Sequence, residues 1–471
     1  MAERGAARSD RDGVREHGPV SRARAAAAAV LWLAAALLAP PALAEPGATF
    51  GAETFMLDNG MQVVVIPNQR APVIHHSVWY RVGAADGPRG KSGIAHMLEH
   101  LMFKGTEQVP AGEFSKTIAR NGGNDNAFTS QDYTGYFQNV SPERLVMVME
   151  MEADRMVNLS FAENDFLTER DVVAEERRSR TGNQASALFA EQVNASQYLA
   201  HPYRLPIIGW DQEIQDYTYD DAVDFYRSYY APNNAILIVA GDVTAGTLRP
   251  LAERTYGRIP ARAVAARARA VEPPQLAARR VLMRDARVAD PEWMRSYLVP
   301  SYHADPDGQA VAIDVLANVL GGGITGRLYQ GLVVDRQVAN SAGSFYDGLA
   351  YDRSRLIVYV RPRPGQAIEE VEAAVDEVLA EVMDRAVDAD ELARAKFGMR
   401  ADAVYARDQL ASVARIFGVA LTAGLSVADV EGWPELVESV TAEQVQAAAR
   451  AVLVPARSVT GVLLPETKEA L

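Results

Sequence analysis

Two stretches far apart in the chain are built to one plan. YYAPNNAILIVAGDV (229–243) and AVLVPARSVTGVLLP (451–465) each run from the end of a helical pattern through a proline and a polar turn into a buried strand. A chain that repeats its closing segment in this way folds as two similar units in tandem, the mark of an internal duplication. Both halves mix strand-like runs with long helical patterns, so the expected fold class is α+β, with two similar tandem α/β domains. The stretch 257–280 is rich in Pro, Ala and Arg and poor in large apolar side chains. It reads as a linker between a first domain at 45–256 and a second at 281–471.

Within the first half, Asn59-Gly60 between apolar runs signals a hairpin. Residues 73–83 (VIHHSVWYRVG) form a strand-like run, and Ser141-Pro142 reads as an N-cap and first helical residue before the helical stretches up to 199.

The first 44 residues read as a leader rather than as part of the fold. Arg22 and Arg24 precede an apolar run, Ala25 to Ala39, and then Pro40, Pro41 and Ala42-Leu43-Ala44. A positive flank, a short apolar core and an A-x-A ending are the parts of a secretory signal, with cleavage expected after Ala44. The alternative is an uncleaved anchor, for which the run is short of the roughly 20 residues a spanning helix needs. The expected location is therefore the periplasm, with no membrane attachment once the leader is removed. The chain has no cysteine, so stability must come from a packed core rather than from disulfides. Any metal must then be held by His, Asp or Glu. A formal charge of −14 argues against nucleic acid as a partner.

The chemistry concentrates in GIAHMLEHLMFKGT. Helical spacing places His96 and His100 one turn apart on one face, with Glu99 beside them. This is HxxEH, in which two imidazoles hold zinc and the glutamate acts as general base. Two histidines and one carboxylate leave a fourth position for water, whose pKa zinc lowers to about 7. Five residues can match such a pattern by chance, so a third ligand decides more. FLTERDVVAEERRSR (166–180) offers Glu169, Glu175 and Glu176; Glu169 and Glu176 lie two helical turns apart on one face, and Glu175 points away. His75 and His76 alternate across a strand, His201 precedes a proline and His303 sits in a loop; all four read as structural.

With these residues the chain resembles the pitrilysin-type (insulinase-like, inverzincin) zinc metallopeptidases. The resemblance rests on GIAHMLEHLMFKGT, GGNDNAFTSQDYTGY (122–136), ERDVVAEE, HPYRLPIIGW (201–210) and APNNAILIVAGDV. It implies zinc as the cofactor, His96, His100 and Glu176 as its ligands, Glu99 as the general base and Glu169 as the supporting carboxylate. It also implies that Asn126 and Ala127 lie on an edge strand where an extended peptide adds as a further strand. Asn126 can equally be a simple turn residue after Gly122-Gly123.

The resemblance fails at one place. The family's catalytic chains carry, in the second half, an arginine followed seven residues later by a tyrosine, reaching toward substrate and the developing oxyanion. The matching positions here hold Val333 and Asn340, and shifting the register to Arg327 or Arg336 meets Val334 or Gly343. Three readings follow. The chain is the zinc-bearing subunit of a heterodimer whose homologous partner supplies the Arg/Tyr pair. It acts alone or as a homodimer with other donors. Or it is a non-proteolytic binding or assembly subunit that keeps the metal site. Two clam-like lobes enclosing a chamber would favour peptides and unfolded segments as substrates.

Overall fold

The computed structural model describes residues 49–466, so the leader expected at 1–44 lies outside the described residues. Two mixed sheets organise them. The first contains β1 (Glu53–Met56), β2 (Gln62–Pro67), β3 (Ile74–Tyr80), β4 (Asn124–Thr129), β5 (Thr134–Val140) and β6 (Ala235–Gly241), in the order β1-β2-β6-β3-β5-β4. The second contains β7 (Arg279–Asp285), β8 (Glu292–Val299), β9 (Ala339–Tyr346), β10 (Ser354–Pro362) and β11 (Ser458–Pro465), in the order β7-β11-β8-β10-β9.

The duplication shows in this wiring. In each sheet the last strand in sequence inserts between two earlier ones, parallel to one neighbour (β2 or β7) and antiparallel to the other (β3 or β8). The remaining strands follow antiparallel in both sheets. Apart from β1, the second sheet repeats the first. The repeated segments 229–243 and 451–465 deliver the two inserted strands, β6 and β11.

Four helices matter most for the site: α1 (Ile94–Leu101), α2 (Glu163–Arg177), α3 (Ala185–Gln197) and α4 (Leu410–Thr422). Every residue of β3 and β6 is buried, which requires cover on both faces of the sheet. One face packs on α1, α2 and their neighbours through Val63, Val65, Val78, Leu237 and Val239. The other carries Val64, Ile66, Trp79, Ile236 and Ile238 and is covered by Val413, Ala414, Phe417 and Leu421 of α4, which comes from the second half of the chain. The first half reciprocates, since Phe189 and Val193 of α3 pack on Val459 and Leu463 of β11. Each large apolar side chain buried in this way contributes roughly 1.5–3 kcal/mol, so the exchange couples the halves. Gly418 makes the α4 contact possible, because a Cβ there would lie 2.1 Å from Trp79 Cε2.

Within 257–280, residues 260–276 have no helix or strand, whereas 257–258 belong to a 3-10 turn and 279–280 to β7. The stretch is nevertheless anchored. Arg269, only 5% exposed, pairs with Asp86 (2.8 Å), with Asp132 (2.5 Å) in the β4–β5 turn, and with Asp352 (3.0 Å) of the second half. Tyr203 donates its hydroxyl to Asp132. No helix among the described residues is long and apolar enough to cross a membrane.

Candidate metal centre

α1 begins at Gly93, whose φ of +85° and approach to the Ile208 carbonyl leave no room for a side chain. The helix is then fixed on all but one side by the burial of Ile94, Ala95, Met97, Leu98 and Leu101. His96, Glu99 and His100 occupy the remaining face, with the two imidazole centroids 4.7 Å apart. α2 lies against α1 and carries Glu169 and Glu176 toward that face, while Glu175 turns outward to Arg178. This division follows from helical spacing.

His96, His100 and Glu176 offer ligand atoms that all lie within 4.8 Å of one another, the single such trio among the described residues. Glu176 Oε2 stands 3.2 Å from His100 Nε2 and 3.8 Å from His96 Nε2. That oxygen is buried yet has no hydrogen-bond partner. Ligands around one tetrahedral zinc, with bonds near 2.1 Å, are spaced roughly 3.3 Å apart. An orphaned carboxylate oxygen facing two imidazole nitrogens at such spacings fits zinc.

The surroundings hold these groups in place. His100 Nδ1 lies 2.9 Å from Glu169 Oε1, which leaves Nε2 to face Glu176. The other oxygen of Glu169 pairs with Lys104. Hydrogen bonding to His100, reinforced by Lys104, holds Glu169 down to about 2 despite burial. Burial, with the neighbouring His100, pushes His96 down to about 4. Burial acts the same way on His100, but the hydrogen bond to Glu169 and the nearby Glu176 carboxylate outweigh it and carry His100 up to about 9. Glu176 is lowered, chiefly by its contact with His100. Glu99 is raised by burial, and Thr129 of β4 donates its hydroxyl to the Glu99 Oε2.

A cavity of about 780 Å³ opens from this cluster, lined by His96, Glu99, Ala127, Thr129, Arg180 and, from the second sheet, Ile357 among others. Asn126 and Ala127 lie on β4, the edge strand of the first sheet. Ala127 lines the cavity, and Asn126 is exposed, its side-chain oxygen accepting from the Ala127 N–H.

Three residues of this cluster escape a reading of the sequence. Thr129 reaches Glu99 only because β4 packs beside α1. Lys104 and Arg180 carried a usable signal, since each follows a member of the trio by four residues, His100 and Glu176. The other histidines among the described residues are engaged elsewhere: His75 with Asn139, His76 with Gln138 and Tyr256, His201 with Asp352, and His303 with the Tyr351 carbonyl. Val333 packs on the core of the second half, and Asn340 is exposed on the edge strand β9.

The chain matches two family descriptions, "Insulinase (Peptidase family M16)" over residues 62–210 and "Peptidase M16 inactive domain" over 216–399. It is 34% identical over 371 residues to the zinc protease PqqE of Helicobacter pylori, covering 78% of this chain and 82% of that protein. A solved protease from Helicobacter pylori superposes with a TM-score of 0.82 at 31% identity, over 88% of this chain and 99% of that one. The periplasmic protease PqqL from Escherichia coli shares the fold at a TM-score of 0.75 and 18% identity, with 88% of this chain matching 47% of the longer PqqL chain.

Proposed function

The chain belongs to the M16 (insulinase) family of peptidases, and from that premise we propose that it is an endopeptidase for extended peptides whose active site is completed by a second chain of similar fold. It is a zinc-dependent protease, and zinc is its cofactor. His96, His100 and Glu176 would hold the ion. When bound, zinc supplies Lewis acidity and makes water a nucleophile near neutral pH.

The chain's own residues do the rest. Glu99, at the cavity wall beside the trio, takes the proton from the attacking water and returns it to the leaving amine. Its burial, which raises its affinity for a proton, suits a group that must both accept and release one. Thr129 orients the carboxylate. An extended peptide pairing along the open edge of β4, at Asn126 and Ala127, would carry its backbone past Glu99, because Thr129 of the same strand touches that carboxylate. Such pairing reads main chain, so sequence preference must come from the cavity walls.

The observation that carries the two-chain reading is the pair Val333 and Asn340, which offer neither a cation nor a hydroxyl. An oxyanion donor typically supplies about 3–4 kcal/mol of transition-state stabilisation. A partner bearing the Arg/Tyr pair would restore it, and the longer PqqL chain, of which this fold fills about half, supports a two-unit arrangement. The same two residues favour the second reading, a binding or assembly subunit that retains its metal. We place the mature protein in the periplasm on the strength of the leader pattern at 1–44.

The deciding experiment is peptide hydrolysis followed by mass spectrometry, with zinc-loaded protein alone and mixed with a homologous chain bearing RxxxxxxY, and with Glu99→Gln as the control. Activity only in the mixture, abolished by Glu99→Gln, is the expected result. Activity of the chain alone would overturn the two-chain reading. Silence in both, with zinc bound, would favour the binding subunit.

A further inference from the structure

The segment after the third ligand carries three arginines, each committed to a different carboxylate. Arg177, buried at the end of α2, makes a two-pronged ion pair with Glu191 of α3 at 2.9 and 3.1 Å. Arg178 turns to Glu175 at the surface. Arg180 folds back through a π-helical turn, Arg178–Gly182, and brings its Nη1 to 2.5 Å from Glu176 Oε1. The two oxygens of Glu176 therefore have separate fates. Oε1 is held by a guanidinium, and Oε2 faces His96 and His100 without a hydrogen bond.

We infer that Arg180 is a positioning residue for the metal, fixing the Glu176 carboxylate so that a single oxygen is offered to the ion. The inference rests on His96, His100 and Glu176 being the ligands. A carboxylate free to turn can bind through both oxygens and crowd the position that water needs in a four-coordinate catalytic site. An ion pair that engages one oxygen holds the carboxylate against such a turn. The arrangement mirrors the other side of the site, where Lys104 holds Glu169 and Glu169 holds His100. A folding role does not account for the pair, because Arg180 is 75% exposed and exposed ion pairs contribute little to stability. Groups that brace a ligand, by contrast, typically change metal affinity about 10–100-fold when removed.

The test compares wild type, Arg180→Ala, Arg180→Lys and His96→Ala by chelator competition for zinc, by the visible spectrum of the cobalt-loaded protein, and by thermal unfolding of the metal-free protein. Arg180→Ala should bind zinc about 10-fold or more weakly and alter the cobalt bands, Arg180→Lys should recover part of both, and metal-free unfolding should not move. Wild-type affinity and spectrum in Arg180→Ala, with zinc lost in His96→Ala, would overturn the inference and leave the ligand set standing. Weaker zinc binding matched by a lower metal-free unfolding temperature would also overturn it, in favour of a folding role. Retention of zinc by His96→Ala would remove the ligand set and the inference with it.

Discussion

His100 Nδ1 lies 2.9 Å from Glu169 Oε1, and Lys104 closes on the other oxygen of the same carboxylate. This chain of contacts fixes which nitrogen of His100 would face a bound metal and would make that nitrogen a stronger donor. Replacing Glu169 with Gln keeps the shape but removes the charge, so zinc affinity should fall about 10–100-fold while the fold survives. Chelator competition on Glu169→Gln checks this. Unchanged affinity would mean that His100 is oriented by packing alone.

The two histidines should give the metal-free protein opposite pH limbs. His96 sits at about 4 in the folded chain, below the value near 6.5 of an unfolded histidine. The unfolded state therefore binds more protons between those values, and stability falls as pH drops through that window. His100 sits at about 9, above its unfolded value, so its stabilisation is full below about 6.5 and is lost as pH rises toward 9. Unfolding temperatures measured against pH should show His100→Asn losing the alkaline limb and His96→Asn losing the acid one. Zinc must also displace the His100 proton, so its binding should release a proton and tighten as pH rises toward 9, which calorimetry in buffers of different ionisation enthalpy would detect.

How much of this was visible beforehand depended on whether a relationship is local. His96, Glu99 and His100 share a helix face because of spacing alone, and the seven-residue interval does the same for Glu169 and Glu176. The duplicated ending was legible because both copies keep a helix end, a proline and a buried strand. The covering of the sheets was not. The apolar pattern of 410–422 says that α4 must bury a face, but nothing in it says that the face meets Trp79 of the other half. Nor does the composition of 257–280 show that Arg269 will be buried among three carboxylates, since an arginine in a polar stretch reads as solvated until its partners are known.

Glu99 is the residue on which hydrolysis should depend without affecting the metal. Glu99→Gln preserves the hydrogen bond from Thr129 but cannot accept a proton, so kcat should fall by about 10²–10⁴. Zinc content, measured on the same sample, should match wild type. A Glu99→Gln protein that still cleaves at more than a tenth of the normal rate would point to a different base.

Gly418 tests the exchange of helices. An alanine in a helix interior ordinarily stabilises by about 0.5–1 kcal/mol relative to glycine. Here the added Cβ would meet Trp79 Cε2 at 2.1 Å, with two further ring atoms within 2.4 Å. Overpacking of this kind costs typically about 1–3 kcal/mol, so the clash should win and Gly418→Ala should lower the unfolding temperature. A rise instead would show that α4 can shift off the first sheet at little cost.

Arg269 tests the junction. It is the shared partner of Asp86, Asp132 and Asp352, and Asp86 and Asp132 are 4% and 7% exposed. Removing one member of a buried ion pair leaves uncompensated charge at a cost of about 3–5 kcal/mol. Arg269→Met preserves much of the volume and should therefore destabilise by about that amount, read from denaturant unfolding. Adding Asp86→Asn and Asp132→Asn should recover part of the loss, because neutral side chains need no cation. Asp132 sits in the turn joining β4 to β5, so the single variant should also loosen the edge strand beside Glu99, seen as faster amide exchange at 124–129. Full stability in Arg269→Met, with unchanged exchange there, would mean that the apolar contacts of α3 and α4 hold the halves together without the ionic junction.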